Sequence, residues 1–283
     1  MTQTRPTAAL ALATLAICAA LCTTATALSI YDVQYVDLAV DPAGNSPYDG
    51  QVIDCDGGIV VHKFPGWKPK LTLQDPSHPD GWGGIAIKDW TAGKDLFNAV
   101  AVGDRVSFTG VTVEEYRGNT LLRFEPGSGY TVASHGNPLP PVRSVGLNEI
   151  AAPVETAGGD WLVTDHSAEP YEAMRLRIAD VTVTAMDLGK AEDNYNLHGA
   201  GDVWAADYMN VDAVGDYHPL VSTGQHFDRV TGILEQYTKL NYGWDYYQLL
   251  TTNSDDLVVN AVVPEPTALA LVLAGLAFLR RRR

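Results

Sequence analysis

Apolar and polar residues alternate in short runs along most of this chain. Val52-Ile53-Asp54-Cys55 is one such run, and the pattern continues to Val61. Similar runs rich in Val, Ile, Thr and aromatics recur, punctuated by Gly, Asp, Asn and Pro at intervals of roughly ten residues. A period of two marks strands with one buried face, and no stretch of helical length carries an apolar period near 3.6 residues. The pattern predicts an all-β protein. In the first half, strands are expected over 51–61, 71–74, 84–88, 105–116 and 120–124. Gly57-Gly58 interrupts the first of these where a bulge is easiest, and a loop over 90–99 separates the third from the fourth.

The chain then repeats itself. Ser46-Pro47-Tyr48-Asp49 is echoed by Glu169-Pro170-Tyr171-Glu172, and the strand from Gln51 to Val61 by Met174 to Thr184. Thr109-Gly110-Val111 through Tyr116 returns as Thr231-Gly232-Ile233 through Tyr237. The near-constant offset predicts two copies of one domain. Between them the composition turns to Ser, His, Gly, Asn and Pro, ending Pro138-Leu139-Pro140-Pro141, which reads as a linker. Five strands, a long bent first one and a non-hairpin connection between the third and fourth describe an oligonucleotide/oligosaccharide-binding (OB) barrel. The stretches Ser46-Pro47-Tyr48-Asp49-Gly50, Gly58-Ile59-Val60, Leu73-Gln74-Asp75 and Val102-Gly103-Asp104-Arg105-Val106 resemble the OB-fold modules of bacterial exported proteins. In that group, such modules often stand beside extracellular nuclease domains. The second copy departs from the pattern, with Ala173 for Gly50 and Gly224-Gln225 for Gly103-Asp104.

Both ends of the chain depart from the strand pattern. Arg5, the apolar run from Ala8 to Cys22 and Ala25-Thr26-Ala27 form the three regions of a signal peptide, with cleavage expected after Ala27. At the other end, Val263-Pro264-Glu265-Pro266 precedes an uncharged run from Ala268 to Leu279, then Arg280, Arg281, Arg282 and Arg283. The prolines break the chain from what precedes. The run is apolar on every face, unlike a surface helix, and the arginines act as a cationic stop. This order resembles the PEP-CTERM sorting signal, with Pro264, Glu265 and Pro266 as its motif. The resemblance implies a short transmembrane helix, an inner-membrane precursor processed by an exosortase-type enzyme, and delivery to the cell surface or medium. The expected divisions are signal peptide 1–27, first OB-like barrel 28–134, linker 135–155, second OB-like barrel 156–262 and sorting signal 263–283.

Removing both ends takes Arg5 and the four terminal arginines from 19 basic residues, leaving 14 against 34 acidic ones, a charge near −20. Such a surface repels polyanions, so nucleic acid is expected to be an unlikely partner. Of three cysteines only Cys55 remains after the signal peptide, which excludes an internal disulfide. The alternation places Cys55 at a buried strand position.

Catalytic constellations are not evident. The seven histidines lack HExxH spacing, and there is no GxSxG elbow or P-loop. His78 stands in a polar turn, and Asp165-His166-Ser167 cannot form a triad from adjacent positions. Asp54 and Asp56 are weak calcium candidates, as are Glu192 and Asp193, but without EF-hand spacing. Trp67, Trp82 and Trp90 fall around strands two and three, and Trp244 and Tyr246 lie in the last hairpin of the second copy. Exposed rings of this kind stack on sugars or bases. The sequence thus predicts an exported, non-catalytic binding or scaffold protein of the extracellular matrix, without cofactor or resident metal. Its expected partners are the processing enzyme, the membrane through its C-terminal helix, and an extracellular polysaccharide. The alternative is an OB-fold nucleic-acid-binding protein or a relative of extracellular nucleases.

Overall fold

The computed structural model describes residues 26–66, 68–188, 194–207 and 221–259. The signal-peptide and sorting-signal residues, apart from Thr26 and Ala27, lie outside these, as do Trp67, Glu192, Asp193 and His218. Among the described residues no helix is long and apolar enough to cross a membrane.

The described chain is all-β, and its strands form two sheets. The first contains β1 (Val52–Phe64), β2 (Lys70–Gln74), β3 (Gly84–Asp89), β4 (Arg105–Tyr116), β5 (Asn119–Phe124) and β6 (Gly129–Ser134). Two short helices belong with it, α1 (Ile30–Gln34) and α2 (Asp95–Ala99). The alternation predicted all five principal strands to within three residues at either end. It left α2 inside an expected loop, because five residues are too few to show a helical period. Neighbours run β1–β2–β3–β5–β4, and β4 returns to pair with β1, so the five pairings close on themselves. Only β3 and β5 are parallel within this ring.

The second sheet contains β7 (Arg143–Ser144), β8 (Val154–Glu155), β9 (Trp161–Leu162), β10 (Arg175–Met186), β11 (Asn194–His198), β12 (Asp202–Ala206), β13 (His226–Lys239), β14 (Trp244–Leu250) and β15 (Leu257–Val258). Its ring β10–β11–β12–β14–β13–β10 has the connectivity of the first, again with one parallel pair, β12–β14. Single hydrogen bonds repeat as well. Gly50 N donates to Val113 O at 3.0 Å, and Ala173 N to Leu234 O at 2.9 Å. Gly103 N donates to Val60 O at 2.9 Å, and Gly224 N to Val183 O at 2.8 Å. The replacements Gly50/Ala173 and Asp104/Gln225 therefore leave the backbone path intact. Ala173 even keeps the left-handed conformation, φ +55° against +75° at Gly50.

Two apolar cores fill the rings. One gathers Ile30, Leu71, Ile87, Val113 and Leu122 with the fully buried Cys55, and the other Met174, Leu176, Tyr195, Leu234 and Tyr247. The stretch 135–155 is not simply a linker. Val145, Leu147 and Ile150 enter the second core, and β7 pairs with β10. Its prolines hid three apolar anchors of the domain that follows. The interruption in β1 is real, with the β1–β4 register shifting between Cys55 and Gly58. Gly57 carries the positive φ of +61°, while Gly58 lies so close to the Gln74 carbonyl that a Cβ would reach it at 2.5 Å.

The two rings meet along a polar seam. Trp82 N donates to Pro170 O at 2.5 Å, Arg175 N to the Gln74 side chain at 3.1 Å, and Thr238 N to Arg117 O at 2.8 Å. Phe64 adds the apolar contact, packing on Ala206 and Leu250.

Candidate functional site

The outer face of the first sheet carries a row of cations. On β2, β3 and β5 the residues Leu71, Leu73, Ile85, Ile87, Leu122 and Phe124 point into the core. The period of two therefore turns Lys70, Lys88 and Arg123 outward. Register aligns them, since Lys70 faces Lys88 across β2–β3 and Lys88 faces Arg123 across β3–β5. Like charges opposite one another destabilise a sheet, so this row of three needs compensation. Lys70 finds Glu235 of the second ring at 3.2 Å. Arg123 finds Glu125 at 2.5 Å and Glu114 at 3.6 Å. Among the described residues no carboxylate comes within ion-pair distance of Lys88. Its ammonium lies 3.7 Å from the centre of the Tyr116 ring. Burial, reinforced by the Lys70 charge, pushes the Lys88 pKa down to about 8.

Arg117 completes the patch from a hairpin tip. Arg117 and Gly118 both have positive φ, +58° and +81°, as a two-residue turn between antiparallel strands requires. The turn carries the guanidinium to the second ring, where Nη1 donates to the Tyr237 hydroxyl at 2.8 Å. The same group lies 5.0 Å from the Tyr116 ring and 5.2 Å from that of Tyr237. Lys68, Lys70, Lys88, Tyr116, Arg117 and Tyr237 thereby line a groove of about 280 Å³ between the two rings. Beside it, Trp90 is held between Lys68, 3.8 Å from its ring centre, and Arg123, 4.5 Å away.

The aromatics expected from the sequence do not converge. Trp90 borders the cation row. Trp82, before β3, lies at the opposite end of that strand, edge-on to Tyr35 at 5.6 Å and bonded into the seam. Tyr246 is 2 % exposed and packs on Trp204, which lies tilted against Trp161. Its ring serves packing. Trp244 is half-buried beside Tyr242, with Lys239 over both. Tyr237 joins the two regions, with Trp244 and Tyr246 each 5.8 Å away.

The remaining candidates take structural roles. Asp54 and Asp56 point outward from β1, and Asp54 accepts the Gly110 N–H at 2.9 Å. No group of three or more His, Cys, Asp or Glu side chains placed to hold a metal ion occurs among the described residues. Burial pushes the Cys55 thiol up to about 12. His78 pairs with Asp75 at 3.0 Å, and His166 bonds Asp245 at 3.3 Å rather than Asp165 or Ser167.

Sequence reading missed the cationic residues because each is ordinary by itself. A faint signal was present: Lys70 and Lys88 occupy outward strand positions, with Lys68 just before the first, in a chain poor in bases. Pairing alone shows that they form one row.

No family model and no curated protein matches the chain. Among solved structures it is similar to fission yeast Pot1 with single-stranded DNA, at 12 % identity over 88 % of this chain and 93 % of that one, TM-score 0.35. It is similar too to a replication protein A heterotrimer bound to single-stranded DNA, at 11 % identity over 88 % and 72 %, TM-score 0.25. A third is the OB domain of MM0293 from Methanosarcina mazei, at 16 % identity over 31 % and 76 %, TM-score 0.25. The expectation that nucleic acid is an unlikely partner does not stand. The net charge on which the expectation rested is a sum over the whole chain, whereas Lys70, Lys88 and Arg123 stand in one row on the first sheet.

Proposed function

We propose that this chain is a non-catalytic binding protein for single-stranded nucleic acid, built from two OB-type barrels, with the groove between them as its site. The observation that carries the reading is the row Lys70–Lys88–Arg123, flanked by Arg117, Lys68 and the rings of Tyr116, Tyr237 and Trp90. Single strands are held by cations that track phosphates and by rings on which bases stack. A phosphodiester beside Lys88 would relieve the repulsion along the row. The groove's two walls come from different barrels, so both are needed. The signal-peptide pattern at residues 1–27 supports export, which would place this binding outside the cytoplasm.

The test is a titration of the full chain with a labelled single-stranded oligonucleotide at two salt concentrations. Three phosphate contacts would weaken binding about 20-fold between roughly 50 and 200 mM salt, since the single-strand slope is about −0.7 per contact. Lys70→Ala with Lys88→Ala leaves one contact of the three, so it should cut that dependence to about 3-fold and remove most of the affinity. Absence of binding at the lower salt, or binding that the double variant leaves unchanged, overturns the reading.

A further inference from the structure

The seam holds a second cluster that the groove does not use. Glu169 and Glu172, in the turn before β10, are 4 % and 3 % exposed, and Glu115 reaches them from β4. Glu172 accepts from Thr120 N at 3.3 Å and from Gln34 Nε2 at 3.4 Å. Thr120 Oγ1 donates to Glu115 at 2.5 Å, so one threonine bridges a carboxyl from each barrel. Ser46 N also donates to Glu115, at 2.8 Å, and the Tyr247 hydroxyl to Glu169, at 2.9 Å. The charged groups acting on the pair are Glu115, Asp245 and His166, together with each other. His166 is itself engaged by Asp245. No lysine or arginine is among them. Three carboxyls with so little compensation cannot all ionise in a closed seam.

We infer that the seam is a pH-sensitive latch, closed while Glu169 and Glu172 carry their protons and opened when they lose them. Burial, and for Glu172 also the neighbouring Glu169, raises both above the usual carboxyl range, Glu169 to about 8. The open barrels would expose both groups at ordinary values. A group whose closed-state pKa is raised stabilises closure fully below its open-state value. That contribution shrinks as pH climbs from there, and is gone above the closed-state value. Closure is therefore strongest near the ordinary glutamate pKa, weaker at neutrality and weakest above about pH 8. Glutamine imitates the protonated acid in shape and neutrality, so Glu169→Gln with Glu172→Gln should remain closed at every pH. The inference concerns the seam's own residues, and its readouts involve no ligand, so it stands or falls separately from the groove.

The test is small-angle scattering of the full chain from about pH 6 to 9.5, with far-UV circular dichroism confirming that the strands persist. The wild-type radius of gyration should rise above about pH 8 with unchanged dichroism, while the double glutamine variant stays at its neutral value. If that variant does not fold, amide exchange of the wild type decides. Corrected for intrinsic rate, protection at Thr120 and Trp82, both bonded across the seam, should fall at least about tenfold between pH 7 and 9, while Val60 in the core keeps its own. A constant radius together with constant seam protection, or a glutamine variant that opens like the wild type, overturns the latch.

Discussion

Lys70 Nζ and Glu235 Oε2 stand 3.2 Å apart across the groove, one from each barrel, with side chains only 14 % and 15 % exposed. The pair links the walls and neutralises one cation of the row. A phosphate arriving at Lys70 must compete with this internal carboxylate. Glu235→Gln should therefore tighten oligonucleotide binding several-fold at low salt, because a repulsive charge leaves the site. The gain should fade as salt rises and screens it. Titration of both proteins across a salt series measures it.

Tyr237 offers its ring to the groove and its hydroxyl to Arg117 at 2.8 Å. If the ring is a stacking platform, Tyr237→Ala should cost about 1–3 kcal/mol of binding per stacked base. Tyr237→Phe should retain most of the affinity, losing only the orientation of Arg117. Parallel titrations distinguish the two, with thermal melts to confirm that both variants fold.

Gly57 combines a positive φ of +61° with close approach of the Val106 carbonyl. Gly57→Ala strains the backbone and forces β1 from β4 at the bulge, with an expected cost of about 3 kcal/mol or more. Gly50→Ala, with φ +75° and open space around the site, should cost about 1 kcal/mol, for the conformation alone. Chemical denaturation midpoints check the ordering.

Cys55 is fully buried, and its thiol accepts the Gly57 N–H at 3.4 Å. With its pKa near 12 the reactive thiolate is scarce at neutral pH. In a chain beginning at Leu28, which has no other cysteine, a disulfide reagent at about pH 8 should leave Cys55 untouched until denaturant is added, when one equivalent reacts. Rapid reaction of the native protein would show that β1 opens locally.

Much of the fold was legible in the chain. Alternation located the strands because a strand with one buried face must repeat every two residues. Gly57-Gly58 marked the bulge, and the echo of Ser46–Asp49 at Glu169–Glu172 marked the second copy before any pairing was known. These signals are local, and local chemistry fixes them. What lay outside local pattern was read less well. Leu147 and Ile150 looked like linker residues because their neighbours are polar and proline-rich, yet the core that takes them is formed by residues as distant as Tyr247. The aromatics singled out by type scattered between seam, core and patch, because ring exposure depends on what packs above.

Tertiary structure alone decided the candidate site and the latch. Lys70, Lys88 and Arg123 are up to 53 positions apart and form a row only when β3 pairs on both sides. Glu115 and Glu172 meet only where the two barrels touch. Net charge pointed away from polyanions because it is a sum over the whole chain, whereas binding responds to the local field, and that field is set by which strands lie side by side.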